Sequence, residues 1–222
     1  MADPNIDRTL TAGINLYYDL YRPSSAPAPL LIALHGYGAN KRQMMREAQQ
    51  MAPEGFAIAS LQGFHQHLKE PREPGGPLRF GFGWLTNFHP EESVAIHHQA
   101  LLDLTSRLIV DGVADSTRIF LLGFSQSCAL NYRFAFTYPE KLRGVIGICG
   151  GIPGDWDTNS VYQSSPLSVF HLAEPETSST HPNAYAIMNG SSRRERGMSL
   201  SKATTQRMTS SHRCARTYGN GC

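Results

Sequence analysis

The sequence is poor in the features that would assign it to a specialised class. No run approaches the roughly 20 apolar residues of a membrane-spanning helix. The N-terminus, MADPNIDRTL, has acids where a secretory leader has Lys or Arg, and it lacks an apolar core. The expectation is a soluble, cytoplasmic protein. Cysteine is scarce: four in 222 residues, none at C-x-x-C spacing, which is no disulfide scaffold and no zinc or redox site. Cys128 and Cys149 lie in apolar contexts that suit small buried residues. An excess of one charge is also missing, since 20 Lys and Arg against 18 Asp and Glu leave a formal +2. That balance gives no reason to expect nucleic acid or acidic lipid as a partner. No metal-ligand set is evident, and no cofactor is required by any motif.

What is present suits one domain, long enough to bury roughly 70% of the surface of its unfolded chain. The charge is unevenly spread. After Leu172 there are seven Lys or Arg against three Glu, which leaves the preceding part at about −2 and the remainder at about +4.

Short apolar runs recur through the first part. Gly13 to Arg22 alternates, with Ile14, Leu16, Tyr18 and Leu20 on one side, and predicts an antiparallel edge strand. Leu30 to Leu34 is a continuous apolar run stopped by His35-Gly36-Tyr37-Gly38, as expected of a parallel strand buried on both faces. Phe56–Leu61, Arg118–Leu122, Gly144–Cys149 and Leu167–Leu172 repeat the pattern and predict four more central strands. Helical patterns lie between them at Lys41–Met51 and Glu91–Val110, the second started by Pro90 with Glu91 and Glu92 and lined by Val94, Leu101, Leu104 and Leu108. This alternation predicts a mostly parallel α/β sheet with helices on both faces. Gln62 to Pro90 has no periodicity and reads as a long loop, a binding wall or lid with Phe80, Phe82, Trp84 and Phe88.

The chemistry centres on Gly123-Phe124-Ser125-Gln126-Ser127, between the RIFLL strand and a helical run. A tight strand-to-helix turn holds a serine at the C-terminal edge of a sheet and aims backbone N–H groups at developing negative charge. Acyl transfer needs two such donors, one from the residue after the nucleophile and one from the loop after an earlier strand. Gln126 and Tyr37 occupy those places, with Ser125 the candidate catalytic nucleophile.

HGYGAN, FAIASLQG, FGWLTNF, GFSQS and GVIGICGGIPGDW together resemble the phospholipase/carboxylesterase family of α/β-hydrolases, bacterial relatives of the acyl-protein thioesterases. The resemblance runs from about Gly13 to Ala173. It implies the α/β-hydrolase fold, a Ser-Asp-His order of triad residues, and a small-molecule ester or thioester as substrate. The family elbow usually has Gly or Ala where Ser127 stands, a modest departure. By the resemblance, the triad Asp follows the strand LSVFHL in a run such as D-E-F-Y, and the His comes about thirty residues later. Neither is identifiable in this chain. Residues 173–222 contain no Asp, and Ile187 and Leu200 are their only Val, Ile, Leu, Phe or Trp residues, so no strand or amphipathic helix can be drawn through them.

Reading codons one base out of frame from Ala173 permits G-A-R-D-E-F-Y-P-P-E-R-V, and over Lys202 to Ser210 it permits S-Y-D-A-A-H-D-I. The expectation is therefore an incomplete α/β-hydrolase domain over 1–172 and a non-homologous, disordered tail over 173–222 produced by a single-base frameshift. The decoy alternative takes Glu174 or Glu176 as orienter and His181 or His212 as base. His65 and His67 sit in the loop that could line the pocket. His97 and His98, adjacent on a helix, cannot share a ligand. The expected function is a serine hydrolase of carboxylic esters, impaired in this chain because the triad is incomplete. The alternatives are an acyl thioesterase and a non-catalytic ligand-binding homologue. Oligomeric state is not readable from these residues.

Overall fold

The computed structural model describes residues 8–172. Eight strands and three α-helices alternate in it: β1 (Tyr18–Tyr21), β2 (Ala28–Leu34), α1 (Lys41–Met51), β3 (Ala57–Leu61), β4 (His65–Lys69), β5 (Arg79–Gly83), α2 (Pro90–Val110), β6 (Ala114–Phe124), α3 (Gln126–Thr137), β7 (Gly144–Ile148) and β8 (Ser168–Leu172). Six of the strands form one sheet in the order β1-β3-β2-β6-β7-β8. β1 pairs antiparallel with β3, and every other neighbour in the sheet is parallel. This mostly parallel sheet with helices on both faces is the α/β-hydrolase fold expected above.

The apolar runs become central strands because both of their faces are covered. Along β2, Leu30, Ile32 and Leu34 pack into one layer with Leu101, Leu104 and Leu108 of α2 and Leu130 and Phe134 of α3. Leu31 and Ala33 point the other way, onto Met44 and Ala48 of α1. The period of two along the strand thus divides one sequence run between two cores. α1 begins at Asn40, whose side chain accepts from the Gln43 N–H at 3.0 Å and satisfies a donor that the helix geometry leaves free.

Four expectations need correction. The alternation from Gly13 yields only the four residues of β1, and Ile14 is exposed, because β3 offers partners to Tyr18 through Tyr21 alone. The stretch from Gln62 to Pro90 is not simply a loop: β4 and β5 pair antiparallel as a separate two-stranded sheet, His65 opposite Gly83 and Lys69 opposite Arg79. β8 is an edge strand among the described residues rather than a central one, with Phe170 and Leu172 partly exposed. Cys128 is buried, but Cys149 is only half-buried, because it stands past the end of β7, where its N–H donates to the Leu172 carbonyl at 2.8 Å.

Among the described residues no helix is long and apolar enough to cross a membrane. The proposed tail over 173–222, with Glu174, Glu176, His181, His212 and the frame-shifted segments, lies outside the described residues.

Candidate active site

The chain reverses its direction of travel across the sheet at β2. From β2 it moves outward to β3, then crosses back to β6 on the other side and continues to β7 and β8. Strand ends diverge at such a switch point, and a crevice opens beyond their C-termini. In this chain the turns leaving β2 and β6 flank the switch point. Leu34 pairs with Gly123, so His35-Gly36-Tyr37 and Phe124-Ser125-Gln126 leave the sheet side by side.

Ser125 lies between β6 and α3 at φ 53° and ψ −114°. A left-handed φ is costly for a residue with a Cβ and persists only where the surroundings over-determine it. Here they do. The Ser125 N–H donates to the Ile148 carbonyl at the end of β7 (2.8 Å), and the Ser125 carbonyl accepts from the Cys128 N–H (3.0 Å). Gly150 passes so close that a Cβ there would strike the Ser125 carbonyl and come within 2.6 Å of Cys128 Sγ. On the other side, a Cβ on Gly36 would stand 3.2 Å from Ser125 Cβ. The elbow is clamped between the turn after β2 and the segment after β7, and its serine is half-buried.

Gln126 is the first residue of α3, so its N–H belongs to the first turn of donors that have no intrahelical acceptor. Its side chain has a second role that the sequence did not suggest. Oε1 accepts from the Trp84 N–H at 2.9 Å and Nε2 donates to the Leu85 carbonyl at 3.3 Å, which ties the segment after β5 to the helix that starts at the elbow. Tyr37 is exposed, and its ring stacks on His67 of β4 with centroids 4.3 Å apart. The hairpin of β4 and β5 also holds this turn through its backbone: the Gly38 N–H donates to the Phe82 carbonyl at 2.8 Å. A hairpin therefore stands beside the Tyr37 turn, where the sequence predicted a loop.

Three residues named in the sequence make supporting contacts that it did not reveal. His35 is fully buried: its Nδ1–H donates to the Gly36 carbonyl (2.8 Å), and Nε2 accepts from the N–H of Gly63 (2.9 Å). Burial lowers its pKa to about 4, against the raising effect of the Gly36 bond, so the ring is neutral at pH 7. Trp84, also fully buried, donates Nε1–H to the His35 carbonyl at 2.7 Å. Ser127 places its hydroxyl between the two site turns, donating to the Leu34 carbonyl (2.9 Å) and accepting from the Phe124 N–H (2.9 Å). An Ala at this position would have no hydroxyl to make such a bridge.

Among the described residues, three further histidines are engaged elsewhere. His65 lies in β4, not in a loop, and its Nε2 meets Ser93 Oγ of α2 at 2.9 Å; burial lowers its pKa. His97 is buried between α2 and α3, with Nε2 at 3.2 Å from Asn131 Oδ1. His171 Nδ1 accepts from the Tyr132 hydroxyl at 2.7 Å, and burial of that phenol raises its pKa. Among the described residues no group of three His, Cys, Asp or Glu could hold a metal ion.

GGIPGDW acquires a structural role. Asp155 accepts from Arg133 of α3 at 2.7 and 2.8 Å, from Asn159 at 2.9 Å and from the Tyr162 hydroxyl at 3.0 Å. Burial opposes ionisation of Asp155, but these hydrogen bonds outweigh it and hold the carboxyl at about 2. Trp156 packs edge-on against Phe136 and stacks on Tyr162.

A mixed sheet with helices on both faces, and a serine turn at its switch point, define an α/β-hydrolase. The sequence profile of the phospholipase/carboxylesterase family matches residues 17–174, and the chain belongs to that family. NocK of Nocardia uniformis subsp. tsuyamanensis, whose name gives esterase as its provisional activity, is 25% identical over 182 residues. That match takes in 75% of this chain and 47% of NocK, so the chain spans about half the length of this curated relative. The solved carboxylesterase of Bacillus cereus superposes with a TM-score of 0.55 at 18% identity, covering 71% of this chain and 70% of that one. A phospholipase/carboxylesterase from Dyadobacter fermentans gives 0.53 at 15% identity, covering 72% and 73%. At such identities these likenesses speak for the fold alone.

Proposed function

We propose that this fold is built for hydrolysis of carboxylic esters through an acyl-enzyme on Ser125. The Ser125 oxygen attacks the ester carbonyl carbon, and the tetrahedral oxyanion is held by the N–H groups of Tyr37 and Gln126. Collapse of that intermediate breaks the bond to the alkoxy group, which leaves as the alcohol on taking up a proton. Water then attacks the acyl-enzyme and releases the acid. The observation that carries this reading is the left-handed backbone of Ser125, wedged beside Gly36 at the switch point of the sheet.

A serine hydroxyl is a weak nucleophile without a base at hydrogen-bond distance and a carboxylate to orient that base. The 222-residue sequence lacks the D-E-F-Y segment and the later His turn of the family, so this chain has only residual activity, and a chain restored to the shifted frame has more. The test is hydrolysis of p-nitrophenyl acetate, with mass mapping of the residue labelled by a fluorophosphonate, on this chain and on the frame-restored one. Labelling of Ser125 in the restored chain, abolished by Ser125→Ala, is the expected result. Turnover that survives Ser125→Ala there overturns the assignment.

A further inference from the structure

The hairpin beside the oxyanion turn carries an arrangement of charge that the fold itself does not need. Lys69 and Arg79 are directly opposed in the pairing of β4 with β5, and like charges in that relation destabilise a hairpin. Arg72 follows shortly after β4. Among the described residues none of the three forms an ion pair with a carboxylate. Arg72 and Arg79 line a cavity of about 270 Å³, with Gly76 and Pro77 and a single carboxylate, Glu73. Lys69 faces Arg79 across the hairpin, and Arg79 shares the cavity wall with Arg72, which brings the three cations into one neighbourhood; burial lowers the Lys69 pKa, and the charges of Arg79 and Arg72 lower it further.

That neighbourhood touches the proposed catalytic turn. Lys69 Nζ donates to the Gly38 carbonyl at 3.2 Å, one residue beyond Tyr37. Gly81 makes the approach possible, since a Cβ there would meet Lys69 Cδ at 2.8 Å and Gly38 Cα at 2.9 Å. Two Cα steps of about 3.8 Å separate Gly38 from Gly36, and Gly36 lies against Ser125. An anion held against the Lys69 ammonium would sit on the order of 10 Å from the nucleophile's turn, a distance spanned by an extended chain of about ten carbons.

We infer that Lys69, Arg72 and Arg79 form an anion subsite, and that the substrates are esters carrying a second, anionic oxygen group, a carboxylate or a phosphate, at the end remote from the scissile bond. Arginine forks and a lysine ammonium match such oxygens, and a bound anion would remove the mutual repulsion of the cations. This rests on the ester-hydrolase reading for the meaning of the site, but not for its existence.

The test is calorimetric titration of the full chain with monomethyl sebacate, which carries one ester and one carboxylate at the two ends of a ten-carbon chain, and with the neutral dimethyl sebacate. The monoester is expected to bind at least tenfold more tightly at low salt, with the advantage shrinking as salt rises. Arg72→Gln with Arg79→Gln should reduce it to twofold or less. Acetate or inorganic phosphate should displace the monoester, and the stronger competitor identifies the anion. Equal binding of the two sebacates, a preference that survives the double substitution, or failure of both anions to compete overturns the subsite. Arg79→Gln alone should raise the melting temperature by about 1–3 °C by relieving the opposed charges; a lower value shows that Arg79 supports the fold and also counts against the subsite. Loss of the binding preference while Ser125 is labelled in the frame-restored chain removes only the subsite. A preference that persists while Ser125 stays unlabelled there removes only the hydrolase reading.

Discussion

The Ser127 hydroxyl donates to the Leu34 carbonyl at 2.9 Å across 93 residues of sequence, joining the end of the strand that leads into the Tyr37 turn to the turn that carries Ser125. The same oxygen accepts from the Phe124 N–H at 2.9 Å. Replacing Ser127 with Ala strands a buried acceptor and a donor, which costs about 1–3 kcal/mol. The expected fall in melting temperature is roughly 2–10 °C for a chain of this size. Calorimetry on Ser127→Ala checks it, and an unchanged midpoint would show that the bridge adds nothing.

Gly36 allows a different test of the same contact. A Cβ there would lie 3.0 Å from Phe124 Cδ1 and 3.2 Å from Ser125 Cβ, closer than side chains ordinarily approach. Gly36→Ala must push the elbow outward, with a cost of about 1–3 kcal/mol for overpacking. In the frame-restored chain it should also slow fluorophosphonate labelling at least tenfold, because acyl transfer depends on sub-ångström placement. Wild-type labelling would mean that the two turns separate easily.

Stability should fall in acid well before the carboxylates titrate. Burial lowers the pKa of His35 to about 4 and that of His97 to about 3, and His98 is lowered to about 4 by burial and then by the charge of Arg133. All three lie below the unfolded value of about 6.5. The unfolded chain therefore binds more protons between those limits. Folding stability is complete above about pH 6.5 and declines as pH falls toward 4, with a slope of up to about 4 kcal/mol per pH unit if all three titrate together. Denaturant titrations from pH 7.5 to 4.5 measure it; a flat profile contradicts the neutral burial of these rings.

Asp155 sets a lower limb. Its folded pKa of about 2 lies under the unfolded value near 3.9, so the stability it contributes is present above the latter and is lost as pH falls toward 2. Asp155→Asn should remove that limb and lower the melting temperature at neutral pH, since Arg133 loses its charged partner. An unchanged acid limb would assign it to other carboxylates.

The Cys128 thiol should be inert. It is fully buried, and burial, only partly offset by backbone hydrogen bonds, pushes its pKa up to about 12. Since the thiolate is the reactive form, iodoacetamide at pH 8 should modify Cys128 only under denaturing conditions. Modification in the native state would show that α3 opens from the sheet.

The parallel strands were legible in the sequence because each is buried on both faces and so reads as an unbroken apolar run, RIFLL within β6 being the clearest. The hairpin was not, because HQHLK and RFGFG contribute few core residues and gain their order from one another and from contacts with the Tyr37 turn. Its one sequence signal was the alternation of Gly81 and Gly83 with Phe80 and Phe82, where glycine permits close backbone approach. In the candidate site, the turns that carry Ser125, Tyr37 and Gln126 were legible from their places after strands, while the roles of the three residues stand as proposed. The contacts of His35, Trp84 and Ser127 were not legible, because a buried polar group is defined by partners that lie far away in sequence.

The adjacency of β2 and β6 also has a consequence for synthesis. Leu34 and its pairing partner Gly123 are separated by about 90 residues, and between them the chain completes the β3 side of the sheet and the whole hairpin. At a translation rate of about 5–20 residues per second, the open edge of β2 waits roughly 5–20 s for β6 to emerge. During that interval Leu30 to Leu34 is an apolar strand on the ribosome with its β6 edge unpaired. Chaperone demand should peak there, before the β6 side of the site exists.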